Sequence, residues 1–152
     1  MQDIEDFKKS IGKKSRLLGI DPGKKRVGLA ISDEDKLVST PLTTIVKKNN
    51  SSLINEIKEI IDENNIKGII VGNPLNMDGS KGPSSQSAND FAKYLSINIS
   101  VPVTMWDERL STQAAFNLSS NLDINVSKQV QKLDENAASF ILQGAIDYIR
   151  DK

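Results

Sequence analysis

Leu17-Leu18-Gly19-Ile20-Asp21-Pro22-Gly23-Lys24-Lys25-Arg26-Val27-Gly28-Leu29-Ala30 is the stretch that decides the fold. A short apolar run delivers an aspartate to the lip of a Pro-Gly turn, and a second apolar run leads straight back. That pattern predicts a β-hairpin, with strands over Arg16 to Ile20 and Arg26 to Ser32 and a carboxylate at the end of the first. Lys24, Lys25 and Arg26 follow the carboxylate directly. Strand ends are rigid and their tips face solvent, so an Asp held there suits a metal ion.

Outward from the hairpin, Asp33-Glu34-Asp35-Lys36 reads as a polar turn into a third strand, Leu37 to Val46. Pro41 interrupts that strand and so places it at a sheet edge or at a bulge. Ser51 is expected to cap a helix through about Asn64, with Leu53, Ile54, Ile57, Ile60 and Ile61 on one face. GIIVG, 68–72, is a fully apolar strand of the kind buried under helices. A long loop, Asn73 to Ser85, precedes a helix from Gln86 to Ile97 and a strand from Val101 to Trp106. After Asp107-Glu108-Arg109-Leu110, Ser111 or Thr112 caps another helix, and 121–127 is a loop. The last helix is expected to start at Val130, or at Asp134 at the latest, and to run to Arg150. Three antiparallel strands followed by alternating helices and strands specify an α/β fold: a mixed sheet with helices on both faces. Residues 1–15 read as a flexible arm or a short helix, because Ile4, Phe7 and Ile11 recur at helical spacing. Residues 16–152 form one domain.

Composition narrows the chemistry. The 152 residues include no cysteine and no histidine, which removes disulfides, thiolate metal sites, Ser-His triads and imidazole ligation within the chain. Any metal bound must be a hard, oxygen-preferring cation such as Mg²⁺ or Mn²⁺. The N-terminus lacks the apolar segment of a signal peptide, and no run approaches membrane-spanning length, so a cytoplasmic protein with no membrane partner is expected. Twenty basic and twenty acidic residues cancel. Their distribution is uneven, because Lys8, Lys9, Lys13, Lys14, Arg16, Lys24, Lys25 and Arg26 face only Asp21 in the same segment.

Acids stand at three places that the topology can bring together. Asp21 ends the first strand, Asp107 and Glu108 end the last, and Asp134 opens the final helix. Ala137, Ala138, Ile141, Leu142 and Ala145 continue a small apolar face that must pack on the sheet. In open α/β sheets the carboxyl edge of the strands is where ligands bind. Clustered carboxylates there suit two divalent ions acting on a phosphodiester. Each acid also has a plainer reading: Asp134 near a helix start favours the dipole, and Asp107 and Glu108 can pair with Arg109. Successive residues alternate across a strand, so only one of Asp107 and Glu108 can face the site; spacing alone does not choose. In the loop after the buried strand, the amides, the hydroxyls and Lys81 can bind phosphate or base edges.

LGIDPGKKRVGLAIS, VGNPLNMDGSKGP, DERLST and LDENAASFILQGAID occur in this order and resemble the motifs of the YqgF (RuvX) family, over about residues 16–150. The resemblance implies a ribonuclease H-like, five-stranded mixed sheet whose first three strands are antiparallel. It implies an acidic catalytic set of Asp21, Glu108 and Asp134 holding Mg²⁺ or Mn²⁺, with Lys25, Arg26, Asn73, Asn76 and Arg109 facing substrate. The activity implied is a nuclease trimming the 5′ end of precursor 16S rRNA within a ribosome-assembly particle, as a monomer or weak dimer. The alternatives are a nuclease of branched DNA, which needs a symmetric dimer to cut two strands, and a non-catalytic RNA-binding assembly factor. The Asp-Pro-Gly hairpin also resembles the phosphate loop of actin-like kinases. Those need two such domains, and 152 residues are too few.

Overall fold

The structure is a computed structural model that describes residues 1–74, 82–107 and 126–151, with side chains in the last segment described from 136 to 150. The hairpin forms as the sequence predicts: β1 (Arg16–Pro22) and β2 (Arg26–Ser32) are antiparallel, with Asp21 opposite Gly28 and Pro22 opposite Val27. β3 (Ser39–Val46) follows antiparallel to β2, and Pro41 meets both expectations at once. It lies on an edge strand, and the β2–β3 register shifts between Leu29 and Ala30, the residue opposite Pro41. An edge position tolerates a residue that has no N–H to donate.

α2 (Asn50–Asn64) leads to β4 (Ile66–Asn73), and α3 (Pro83–Asn98) leads to β5 (Val103–Asp107). Each of these strands runs parallel to its inner neighbour, giving the order β3-β2-β1-β4-β5. The expected cap of α2 is displaced by two residues. Asn49, not Ser51, accepts the Ser52 N–H on its side chain, because Asn49 is the last extended residue before the helical turn. The closing helix, α4 (Val126–Asp151), starts well before the expected Val130. Asp134 therefore lies eight residues past its first residue rather than opening it. The expected helix after Ser111 lies outside the described residues.

Two buried clusters cover the two faces of the sheet. On one face Leu18, Ile20, Val27, Leu29, Ile69 and Val71 meet Leu53 and Ile57 of α2 and Phe91, Ala92 and Leu95 of α3. On the other, Leu17, Ala30 and Ile70 meet α4 through Ala138, Ile141, Leu142 and Ala145. α1 (Ile4–Ile11) also joins this second face, for Phe7 is fully buried and packs over Gly68. Of the two readings of the N-terminal segment, the structure shows the helix. The amphipathic spacing of Ile4, Phe7 and Ile11 gives it one face to bury.

The second face is lined with small residues where helices cross it. A Cβ at Gly19 would lie 2.7 Å from Leu142 Cβ and 3.1 Å from the Ala138 carbonyl oxygen. At the far end of α4, Arg150 donates to the Lys36 carbonyl (2.8 Å), and the buried Lys36 ammonium reaches the Lys13 carbonyl (2.5 Å) just before β1. α4 thus runs antiparallel to β1. Lys36 itself sits at φ +58°, which a tight connection imposes. Asp33 closes that connection, its Oδ1 accepting the N–H groups of Leu37 (2.8 Å) and Val38 (3.0 Å).

Gly19→Ala is expected to destabilise the protein by about 1–3 kcal/mol through overpacking against α4, read as a lower urea midpoint. The same backbone bonds, Val38 first, hold the Asp33 carboxyl below its ordinary value of 3.8. A depressed carboxyl contributes stability in full above that ordinary value, and the contribution is lost as pH falls through the folded value. In Asp33→Asn the acid loss of stability below about pH 4 becomes shallower than in wild type.

Candidate active site at the carboxyl edge of the sheet

Asp21 is the last residue but one of β1, the central strand of the sheet, and it is half-buried. Side chains alternate along a strand. Gly19 faces α4, so Asp21, two residues on, stands on the same face. The turn after it is tight: a Cβ at Gly23 would fall 2.2 Å from the Arg26 carbonyl oxygen. Only glycine lets the chain fold back here so closely, and the turn holds the end of β1 against β2. The exposed Lys24, Lys25 and Arg26 crown this turn, and the Lys25 carbonyl accepts the Lys47 N–H (2.8 Å).

The helix register brings the third acid's position to the same end. Ala138 lies over Gly19, and α4 runs antiparallel to β1. Position 134 is one helical turn before Ala138 on the same helix face, a rise of about 6 Å. Asp21 is two strand residues beyond Gly19, about 6.6 Å. The backbone at 134 therefore comes level with the carboxyl end of β1. The displaced helix start matters here, because an acid two turns inside a helix gains little from the dipole, whose effect fades within the first turn.

At the end of β5, Trp106 packs against the α1–α4 cluster and lies 5.6 Å from the Tyr148 ring. The Tyr148 hydroxyl donates to Glu5 (2.8 Å), tying β5, α4 and α1 together. Met105 packs on the opposite cluster. By alternation Asp107 belongs to the Met105 side, across the sheet from Asp21. Glu108, Asn76, Lys81 and Arg109 lie outside the described residues, as does the side chain of Asp134. Among the described residues no three acidic side chains are grouped closely enough to hold a metal.

Asn73 departs from the other candidates. It ends β4 on the α3 side, where its Oδ1 accepts the hydroxyl of the fully buried Ser85 (2.8 Å). The contact fastens the first turn of α3 to the sheet. A residue missed from sequence is Lys47, half-buried beside Asp21, Lys24 and the start of α3 around an open cleft of about 460 Å³. It lies between a strand end and a helix cap, where no motif marks it.

Comparison with known proteins adds the family. Residues 15–148 match RuvX, a family described as a Holliday junction resolvase. A relative from Pelagibacter ubique is 58% identical over 99% of this chain and all of its own length. One from Ruegeria sp. (strain TM1040) is 43% identical over 97% of this chain and 94% of its own. Both bear the provisional name pre-16S rRNA nuclease. Among solved structures, T. thermophilus RuvC in complex with Holliday junction substrate superposes with a TM-score of 0.56 at 17% identity, covering 90% of this chain and 96% of that one. The fowlpox virus Holliday junction resolvase gives 0.50 at 17% identity, covering 90% and 99%. The shared fold is ribonuclease H-like, with the five-stranded mixed sheet that the motifs implied.

Removing the Asn73 side chain leaves the buried Ser85 hydroxyl without its acceptor. Asn73→Ala is therefore expected to lower stability by about 1–3 kcal/mol, measured by urea denaturation, with Ser85→Ala restoring part of it in the double variant.

Proposed function

We infer from the RuvX family, to which this chain belongs, that the protein is a metal-dependent endonuclease acting on the 5′ end of precursor 16S rRNA. The observation that carries this reading is Asp21, fixed at the carboxyl end of the central strand on the face that α4 covers. The relatives' names supply the substrate. The catalytic set in this reading is Asp21, Glu108 and Asp134. Asp107 alternates to the far face, which favours Glu108 as the acid contributed from the end of β5.

The donor chemistry suits Mg²⁺ or Mn²⁺, with two ions expected, since the chain offers carboxylates and neither imidazole nor thiolate. When bound, such ions lower the pKa of a water and stabilise the leaving oxygen of a phosphodiester. The protein's part is to hold the carboxylates in place. Asp21 is positioned by the β1–β2 ladder, Asp134 by the seating of α4 on Gly19. Lys24, Lys25 and Arg26 on the turn, with Asn76, Lys81 and Arg109, orient the polyanionic strand. Arginine suits such contacts because its planar fork binds two phosphate oxygens at once. The partner in this reading is a ribosome-assembly particle in the cytoplasm, and the enzyme acts as a monomer or weak dimer. Among the described residues no helix is long and apolar enough to cross a membrane.

The second reading, a resolvase of branched DNA, is favoured by the family's description. Symmetric cutting of two strands requires a symmetric dimer. Side-by-side cleavage of a precursor 16S 5′ segment and a four-way DNA junction, with Mg²⁺, Mn²⁺ or chelator, separates the two. RNA-selective cutting that chelator abolishes is expected. Asp21→Asn is expected to lower it by more than about 100-fold, since even residues one shell beyond a metal cost 10–100-fold. Junction-selective cutting would replace the RNA reading with the resolvase. Binding without cutting, equal in both proteins, would leave a non-catalytic assembly factor.

A further inference from the structure

The cleft beside Asp21 has a chemistry of its own. Its floor is apolar, lined by the half-buried Pro22 and Pro74 over the buried Val27, Ala88 and Phe91 of the core. Lys24 on the turn and Lys47 after β3 stand on its rim. Among the described residues neither ammonium has an ion-pair partner. The opposite wall is the start of α3, which presents the exposed hydroxyls of Ser84 and Ser87. An apolar floor, a cationic rim and hydroxyls on one side match the three parts of a nucleotide: base, phosphate and sugar. The volume of about 460 Å³ lies within the range of small-molecule sites and accommodates one such unit.

We propose that this cleft receives a single unpaired nucleotide of the substrate strand, next to the phosphate to be cut, and so selects single-stranded over duplex substrate. The proposal rests on the reading of the chain as a nuclease and adds a binding subsite to it. The base lies on the apolar floor beside Pro22 and Pro74, its phosphate between Lys24 and Lys47, and its sugar against Ser84 and Ser87. A base within a duplex reaches the floor only after leaving its stack, which costs several-fold to hundreds-fold in affinity, whereas an unpaired base enters freely. Lys47 is the distinctive member, because it serves this cleft and lies outside the run of cations on the turn.

The test is binding rather than cleavage, using the full chain in chelator so that no substrate is consumed. A fluorescein-labelled single-stranded RNA and the same strand annealed to its complement are titrated by anisotropy. Wild type is expected to bind the single strand about tenfold more tightly than the duplex. Lys47→Ala should weaken single-strand binding several-fold and reduce its salt slope by about 0.7, while leaving duplex binding nearly unchanged. Ser87→Phe, which fills the mouth from an exposed position, should erase the preference. Lys48→Ala removes an equal charge outside the cleft and should change neither affinity by more than about twofold. Thermal melting establishes that each variant is folded. Equal affinity for both RNAs, or wild-type selectivity in both Lys47→Ala and Ser87→Phe, overturns the proposal. A protein that shows the selectivity but cuts nothing when metal is restored keeps the subsite and refutes the nuclease reading instead.

Discussion

The contact on which the rest of the molecule turns is the seating of α4 on Gly19. With no Cβ at 19, the helix comes close enough for its Ala138 carbonyl and Leu142 side chain to touch the strand backbone. Close-packed interiors transmit such constraints with little slack. The contact sets the height of α4 along β1, and with it the level of position 134 relative to Asp21. Arg150 and the buried Lys36 anchor the other end of the helix, so the helix is held at the middle of β1 and just before its start. The chemistry proposed for the carboxyl edge is therefore set in part by a contact between apolar groups.

The two faces of the sheet divide the work. On the α4 face stand Asp21 and, by register, position 134. On the α3 face lie Asp107, Asn73 and most of the cleft that Lys47 borders. Asp21, at the end of β1, also borders that cleft. A strand that passes over the end of the sheet can touch both faces at once. Asn73, on the α3 face, fastens α3 to β4 through its bond from Ser85.

Local patterning made much of the fold legible. The hairpin is readable because two short apolar runs flank a turn that carries Pro and Gly, signals that act within a few residues. Pro41 announced an edge strand because it lacks an N–H, whatever surrounds it. Phe7 was harder, since a short amphipathic helix buries its face only if the sheet offers a place such as the gap at Gly68. The cap at Asn49 and the start of α4 at Val126 are not legible locally, because polar residues at a helix start satisfy several registers equally well. Lys47 gives no signal, because the β2–β3 pairing sets it beside the turn and only the arrival of α3 from a distant part of the chain makes a cleft there.

Sequence by itself determined the order of elements, the restriction to oxygen ligands, the turn that presents Asp21 and the resemblance that names the family. These rest on residue chemistry and short-range periodicity, which survive without knowledge of any partner. Tertiary structure decided that Asp107 lies across the sheet from Asp21, that Asp134 is inside its helix, and that Lys47 and Ser87 share a cleft with the turn. Those facts depend on strand register and on how closely α4 and α3 approach the sheet. Packing between residues far apart in the chain sets both, and no local pattern encodes them.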